Sequence, residues 1–353
     1  VTRGVTIVIP TWNGLALLKR FLPSVIAAAR HYNQHSLAPT EIIVVDDGST
    51  DSTVEWLLGE SKRLEDQKLG VDLRVLRSES NRGFGEACNL GFASASQPLV
   101  FLLNNDVEPA IDSIAPLVEN FRDPLVFAVH CRVFDSNSGL ECGTGKLGRF
   151  ARGFIRVHKS YVPRQPNQQG GEGFYSMFAG GGSAMFDRRK FLDIGGFEPL
   201  LSPFYWEDVE LSYRAWKRGF VVRYEPRAVA RHSVSSTIGK LPRRKVRTIE
   251  QRNRLLFHWI QLHDWRMLAS HATWVLLLAI SAPLRLRPEF VSSCVSALKL
   301  LPRVRKRRRE QKRQAKRSDR EVFGLFFGLE RRDDLLTYDD RSELNLKLRE
   351  RRP

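Results

Sequence analysis

Cysteine is scarce in this 353-residue chain: Cys88, Cys131, Cys142 and Cys294 are all there are, and no two form a CxxC pair. With no apolar leader run at the start of the sequence, this predicts a reducing, cytosolic compartment and buried free thiols, although the spacing of Cys131 and Cys142 alone would allow a bridge. A dinucleotide fingerprint is missing. The loop after the first predicted strand lacks GxGxxG, and Gly83-Phe-Gly85 is followed by Cys88 where the third glycine belongs. A P-loop is missing too, since Gly145-Lys146 has Leu140 and Leu147 where Gly and Ser or Thr are required. No repeat occurs at solenoid periods. The apolar stretch Met267 to Leu284, which contains His271, sits at the lower edge of the roughly 17 to 25 residues that span a bilayer. It predicts an interfacial or shallow membrane helix in preference to a full span.

What is present is a normal globular composition with a strong basic excess. Hydrophobic residues make up 42%, enough for one large α/β domain with an appendage or for two domains. The 56 Lys and Arg against 39 Asp and Glu give a formal charge of +17, which predicts attraction to a polyanion: nucleic acid, an anionic membrane or anionic ligands.

Val5 to Pro10, Glu41 to Val45, Val71 to Leu76 and Leu99 to Leu103 read as buried strands of a parallel sheet. Helical patterns separate them, from Asn13-Gly14 to about His31, from Thr53 to about Leu64 and from Gly85 to Ala95. A helix is expected from Ile111, strand-like pieces around Phe127 to Phe134, then a Gly-rich, less regular region to about Gly182. Phe191 to Phe197, Val209 to Arg218 and Phe220 to Tyr224 predict helix, helix and strand. Ile249 to Leu262 looks helical, and the residues from Phe323 onward predict a short helix or a disordered tail. Three regions follow: residues 1–108, residues 109–240, and a helical, basic C-terminal module over residues 241–353, in which ten of the fifteen residues Arg303 to Arg317 are Lys or Arg.

In an open α/β sheet the carboxyl ends of the strands border the ligand crevice, so Thr11, Asp46, Asp47 and Asp106 share one crevice. Asp46-Asp47-Gly48-Ser49-Thr50-Asp51 offers either a carboxylate to the imide N–H of uracil or thymine, or a helix-capping turn. Asn104-Asn105-Asp106 offers one carboxylate to Mg²⁺ or Mn²⁺ and two amides within reach of sugar hydroxyls, or a polar loop. Trp206-Glu207-Asp208-Val209-Glu210 sets paired acids at a helix start, where they either complement the dipole or raise one another's pKa towards that of a general base. His232 follows a strand, as a structural histidine or a ligand.

Taken in order, these segments resemble family 2 glycosyltransferases of the GT-A fold, with a rhamnosyltransferase-like subgroup. The resemblance runs through Ile7-Val-Ile-Pro-Thr-Trp-Asn13, Val44-Val-Asp-Asp-Gly-Ser-Thr-Asp51, Asn81-Arg-Gly-Phe-Gly85 with Asn89, and Leu103-Asn-Asn-Asp106. It continues through Gly180-Gly-Gly-Ser-Ala184, Gly195-Gly-Phe-Glu198, Trp206-Glu-Asp-Val-Glu-Leu-Ser212, Arg214, and Pro226 followed by His232.

The resemblance implies a Rossmann-like, mostly parallel sheet flanked by helices, with residues 1–108 holding a nucleotide sugar and residues 109–240 holding the acceptor. It implies that Pro10, Thr11, Asn13 and Asp47 frame the nucleotide, with Arg82, Asn104 and Asn105 nearby, and that Asp106 and His232 bind the divalent cation. Asp208 would be the general base, with Glu207 and Trp206 shaping the acceptor and donor-sugar pocket. Many relatives carry an acid where this chain has Asn104 or Asn105, so its metal site has fewer negative charges. The expected reaction is an inverting transfer from a uridine or thymidine diphosphate sugar, rhamnose leading, to a cell-envelope glycan or lipid-linked acceptor.

The apolar stretch and the basic cluster together predict a peripheral enzyme on the anionic inner face of the cell membrane. Two other classes compete. A nucleotidyltransferase would want a Gly-rich, basic loop after strand one, and Thr11-Trp12-Asn13-Gly14 is not one. A nucleic-acid binder would want its cations at the crevice, but they concentrate after Arg243 and the crevice collects acids; no specific nucleic acid is expected.

Overall fold

The computed structural model describes residues 3–68, 70–165, 174–233, 242–282 and 288–339. Three largely apolar runs, β-branched in the first two, form strands buried along their whole length: β1 (Val5–Thr11), β2 (Thr40–Asp46) and, after the more exposed β3 (Asp72–Arg77), β4 (Leu99–Leu103). They pair in parallel in the order β3-β2-β1-β4. The helices between them are α1 (Leu15–Ser36), α2 (Thr53–Asp66) and α3 (Phe84–Ser94). α1 buries Leu18, Phe21, Leu22, Val25 and Ile26, the stripe that its helical spacing predicts.

Beyond β4 the sheet becomes mixed. β5 (Val107–Pro109), β6 (Val126–Asp135), β10 (Ser183–Asp187) and β11 (Val221–His232) extend the order as β4-β10-β6-β11-β5, with β10 and β5 antiparallel to their neighbours. β7 (Glu141–Gly143) pairs with β6. The mostly parallel expectation therefore holds for the first half, and the antiparallel β10 joins it to the second.

Part of the segment expected to be irregular forms strands, while residues 166–173 lie outside the described residues. β8 (Gly145–Ala151) and β9 (Phe154–Pro163) form a hairpin, and β12 (Leu335–Tyr338) joins β9 as a third strand. The helix expected from Ile111 is only α4 (Ile114–Glu119). The one expected at Phe191 to Phe197 is α5 (Arg188–Asp193), which stops before Gly195 and Gly196, both at positive φ. α6 (Glu207–Lys217) follows.

The C-terminal region is helical: α7 (Arg243–Gln261), α8 (Trp265–Ser281), α9 (Pro288–Lys299), α10 (Leu301–Gln314) and α11 (Asp319–Glu330). α7 starts a turn and a half before the expected Ile249, because its basic first turns carry no apolar period to read. The region packs on the rest of the chain. Phe257, Leu262, Val322, Phe326 and Leu329 belong to the same buried cluster as β1 and β4, and the buried Lys217 and Asp319 pair at 2.7 Å. No helix among the described residues is long and apolar enough to cross a membrane. All four cysteines are free.

Candidate active site

The strand ends of the parallel half supply the first wall. Pro10, buried in β1, is in register with Val45, and Thr11 ends the strand. Asp47 follows β2 directly and is buried; its two carboxylate oxygens accept the backbone N–H groups of Arg82 at 2.9 Å and Gly83 at 2.8 Å. This carboxylate therefore fixes the loop that starts α3, leaving the guanidinium of Arg82 exposed beside Glu86. Asn13 accepts from the backbone N–H of Thr50 at 2.8 Å, and its own N–H donates to Ser49 Oγ. The Asp46 to Asp51 turn is thus capped from β1. Gly48 has a φ of +75°, and a Cβ there would meet the backbone of Ser80 and Asn81 within 3 Å, so both steric reasons demand glycine.

The second wall starts after β4. Asn105 donates to Thr11 Oγ1 at 2.8 Å, and the backbone N–H of Asn104 donates to the carbonyl of Gly182 at 3.0 Å. Asp106 is buried, and β5 just beyond it pairs with β11 so that Val107 faces His232. That register brings His232 Nε2 to 3.1 Å from Asp106 Oδ1. The Asp106 carboxylate facing Nε2, aided by Cys142, pushes the His232 pKa up to about 10 against the cost of burial. Nothing in the sequence context of Cys142 marks it for this position beside His232.

The third wall is the start of α6. Tyr205 and Trp206 both have positive φ, 72° and 75°, an uncommon and strained conformation for bulky residues. This turn swings Glu207 and Asp208 towards Gly181, where a Cβ would lie 3.8 Å from Asp208 Cβ and 3.3 Å from the Phe84 ring. Phe84 is the first residue of α3, next to the loop that Asp47 holds. Lost hydration pushes Asp208 up to about 6, although the backbone N–H groups of Val209 and Gly181 pull it down. Burial, then the charge of Asp208, pushes Glu207 up to about 8. The ring of Trp206 does not face the crevice wall alone: it stacks on Phe257 of α7, centroids 5.4 Å apart.

Contacts link most of these residues pairwise: Asn105 to Thr11, Asn104 to Gly182, Asp208 to the neighbouring Gly181, Asp47 to the loop that starts α3, and Asp106 to His232. A carboxylate oxygen and an imidazole nitrogen at 3.1 Å are donors of the kind a divalent cation takes, once the cation displaces the proton that the raised pKa leaves on His232. No three His, Cys, Asp or Glu side chains converge as a metal cage among the described residues, so Asp106 and His232 would need ligand oxygens from elsewhere.

The model of the family described as "Glycosyl transferase family 2" matches residues 6–195, and that of "Glycosyl transferase family group 2" matches residues 109–303. This chain belongs to glycosyl transferase family 2. Among its relatives is the poly-beta-1,6-N-acetyl-D-glucosamine synthase of Staphylococcus aureus (strain COL), 27% identical over 69% of this chain and 53% of the relative. The chain spans about half the length of that synthase. The O-antigen chain rhamnosyltransferase RfbN of Salmonella typhimurium is 27% identical over 66% of this chain and 67% of its own. A solved structure of GalNAc-T7 with UDP, GalNAc and Mn²⁺ superposes with a TM-score of 0.58, at 21% identity, over 75% of this chain and 49% of that one. The glycosyltransferase fold is GT-A, a mixed sheet flanked by helices.

Proposed function

We propose that this glycosyltransferase moves a sugar, with inversion, from a uridine or thymidine diphosphate onto a hydroxyl of a cell-envelope glycan or lipid-linked acceptor. The observation that carries the reading is the position of Asp208: a carboxylate with a raised pKa, set beside Gly181, whose neighbour Gly182 packs against Asn104, two residues before Asp106. Residues 1–108 hold the nucleotide sugar, residues 109–240 the acceptor, and residues 241–353 brace the site and meet the membrane.

Asp208 accepts the proton of the acceptor hydroxyl as that oxygen bonds to the anomeric carbon, and the bond from that carbon to the diphosphate oxygen breaks. One displacement inverts the centre, and no carboxylate has to act as nucleophile. Burial and mutual repulsion raise both Glu207 and Asp208, so that the pair holds a proton more readily than two free carboxyls would. Asp106 and His232 would hold a divalent cation, Mg²⁺ or Mn²⁺, which when bound neutralises charge on the leaving diphosphate. The thin protein ligand set fits a cation completed by diphosphate oxygens. Gly181 and Gly182 keep the crevice floor free of side chains, Gly182 against the Asn104 amide. The UDP and Mn²⁺ of GalNAc-T7 support the nucleotide and cation, and RfbN supports rhamnose as the leading sugar.

Membrane attachment is supported by α8 and α9. Ala269, Ala272, Thr273, Leu276, Leu277 and Ile280 form an outward stripe on α8 without a charge, and Val291, Val295 and Leu298 continue it on α9. Such a face suits helices lying in an interface, with the exposed cations of α10 meeting anionic headgroups on the cytoplasmic leaflet. Calorimetric titration with UDP and dTDP, with Mn²⁺ or EDTA, tests the donor reading: cation-dependent binding of one of them supports it, and binding of neither contradicts it.

A further inference from the structure

Asn253 lies on α7, outside the short motifs that mark the crevice in the sequence, and its side chain is fully buried. Its amide nitrogen donates to the carbonyls of Leu201, Phe204 and Tyr205, the last two at 2.9 and 3.0 Å. One NH₂ group therefore closes the loop that leads into Glu207 and Asp208. Its own oxygen accepts from Arg252 at 2.7 Å, and Arg252 also reaches the carbonyl of Ser202.

Two more residues at helical spacing extend this contact. Phe257, one turn on from Asn253, stacks on Trp206 and meets Tyr213 edge-on. Gln261, a further turn on, donates to Glu210 Oε1 at 2.6 Å, and Glu210 is held in turn by Arg214 at 2.7 Å. Positions i, i+4 and i+8 of a helix share a face, so one stripe of α7 grips the entry, the first turn and the middle of α6. The loop it grips needs holding. Tyr205 and Trp206 are both at positive φ, a conformation that persists only where the surroundings fix it.

We propose that Asn253 is a positioning residue for the transfer reaction: it locks the Leu201 to Trp206 loop in the strained turn that presents Asp208 over Gly181. The inference rests on Asp208 being the base. Asn253 touches neither substrate nor reacting atoms, and its effect reaches them through the carbonyls of Phe204 and Tyr205. The C-terminal helical region thereby becomes part of the active site's construction as well as its membrane side.

The test is Asn253→Asp, which keeps the shape of the side chain and removes the donors, so that three carbonyls face a carboxylate. It is compared with Asn253→Gln, with Gln261→Met, which loosens the same stripe farther from the loop, and with Asp208→Asn. Kinetics use whichever nucleotide sugar a donor panel shows to be turned over, and UDP with Mn²⁺ serves as the binding probe. Backbone hydrogen exchange over residues 202–210 reads the loop without any substrate. Expected for Asn253→Asp are a kcat lower by about 10²-fold, the scale of an ångström-sized misplacement, a UDP affinity within about twofold of wild type, and faster exchange in that peptide with β1, β2 and β4 unchanged. Should Asn253→Asp not fold, Gln261→Met is expected to lower kcat with UDP affinity unchanged, and wild-type kcat there overturns the proposal. Wild-type kcat and loop exchange in Asn253→Asp, or parallel losses of kcat and UDP affinity, also overturn it. A fully active Asp208→Asn would instead remove the base reading, an outcome distinct from a failure of Asn253 alone.

Discussion

His232 and Asp106 stand at the ends of two strands far apart in sequence, yet Nε2 of one lies 3.1 Å from Oδ1 of the other because β5 pairs with β11. The pair is the proposed holder of a divalent cation. Replacing either residue by Ala is expected to weaken Mn²⁺-dependent UDP binding by at least about tenfold, equivalent to 1.4 kcal/mol, while UDP binding in EDTA stays as in wild type. Isothermal titration under both conditions checks this, and unchanged Mn²⁺ dependence in both variants contradicts it.

Asp47 makes a different kind of contribution. It satisfies two buried backbone N–H groups, those of Arg82 and Gly83, and an orphaned buried donor costs about 1–3 kcal/mol. Asp47→Ala is therefore expected to lower the Tm and also to weaken nucleotide binding, since the loop it frees starts α3. Asp47→Asn, which keeps one acceptor, falls between. Thermal melts alongside UDP titrations separate the two effects.

The raised acids of α6 set the pH dependence. The base must be ionised, so kcat/KM is expected to rise with pH through about 6, and Asp208→Asn to lose about 10²–10⁴-fold. Stability runs the other way. Carboxyls whose folded pKa is raised hold protons that the unfolded chain has released, so their contribution is complete below about pH 4 and fades as pH rises through about 6 and 8. Asp208→Asn and Glu207→Gln are thus expected to melt higher than wild type at pH 8, by on the order of 1 kcal/mol or a few degrees, with the gain vanishing at pH 4. Melts across pH check the sign.

Much of this architecture is legible in the sequence where burial is two-sided. β1, β2 and β4 are buried along their length, so their central runs are apolar on both faces, and the polar clusters that end them mark the crevice. The β8–β9 hairpin is not legible, because glycines dilute its alternation and its third strand, β12, comes from near the other end of the chain. Gly195 and Gly196, at positive φ, displace α5 towards the N-terminus relative to the apolar pattern of Phe191 to Phe197. Asn253 gave no signal, since its partners are carbonyls brought to it only by folding. The stacking of Trp206 on Phe257 is equally invisible in the sequence, because the positive φ that turns the ring towards α7 has no composition signal.

The outward face of α8 carries its own prediction. Leu276, Leu277 and Ile280 are 60%, 51% and 66% exposed. Replacing all three by Ser is expected to reduce binding to vesicles of mixed neutral and anionic lipid by about tenfold or more, given about 1 kcal/mol for each apolar side chain in the interface. Neutralising Arg305, Lys306, Arg309 and Arg313 is expected to lower binding only where anionic lipid is present. Cosedimentation reads both, and equal binding by the Ser variant contradicts the membrane assignment.

The most direct test of the central claim is hydrolysis of a panel of uridine and thymidine diphosphate sugars by the purified protein, with Mn²⁺ or with EDTA, comparing wild type with Asp106→Ala. The account predicts release of a nucleoside diphosphate from one donor, dependent on the cation and lost in the variant. Release that persists unchanged in EDTA and in Asp106→Ala, or no binding of any nucleoside diphosphate, would contradict it.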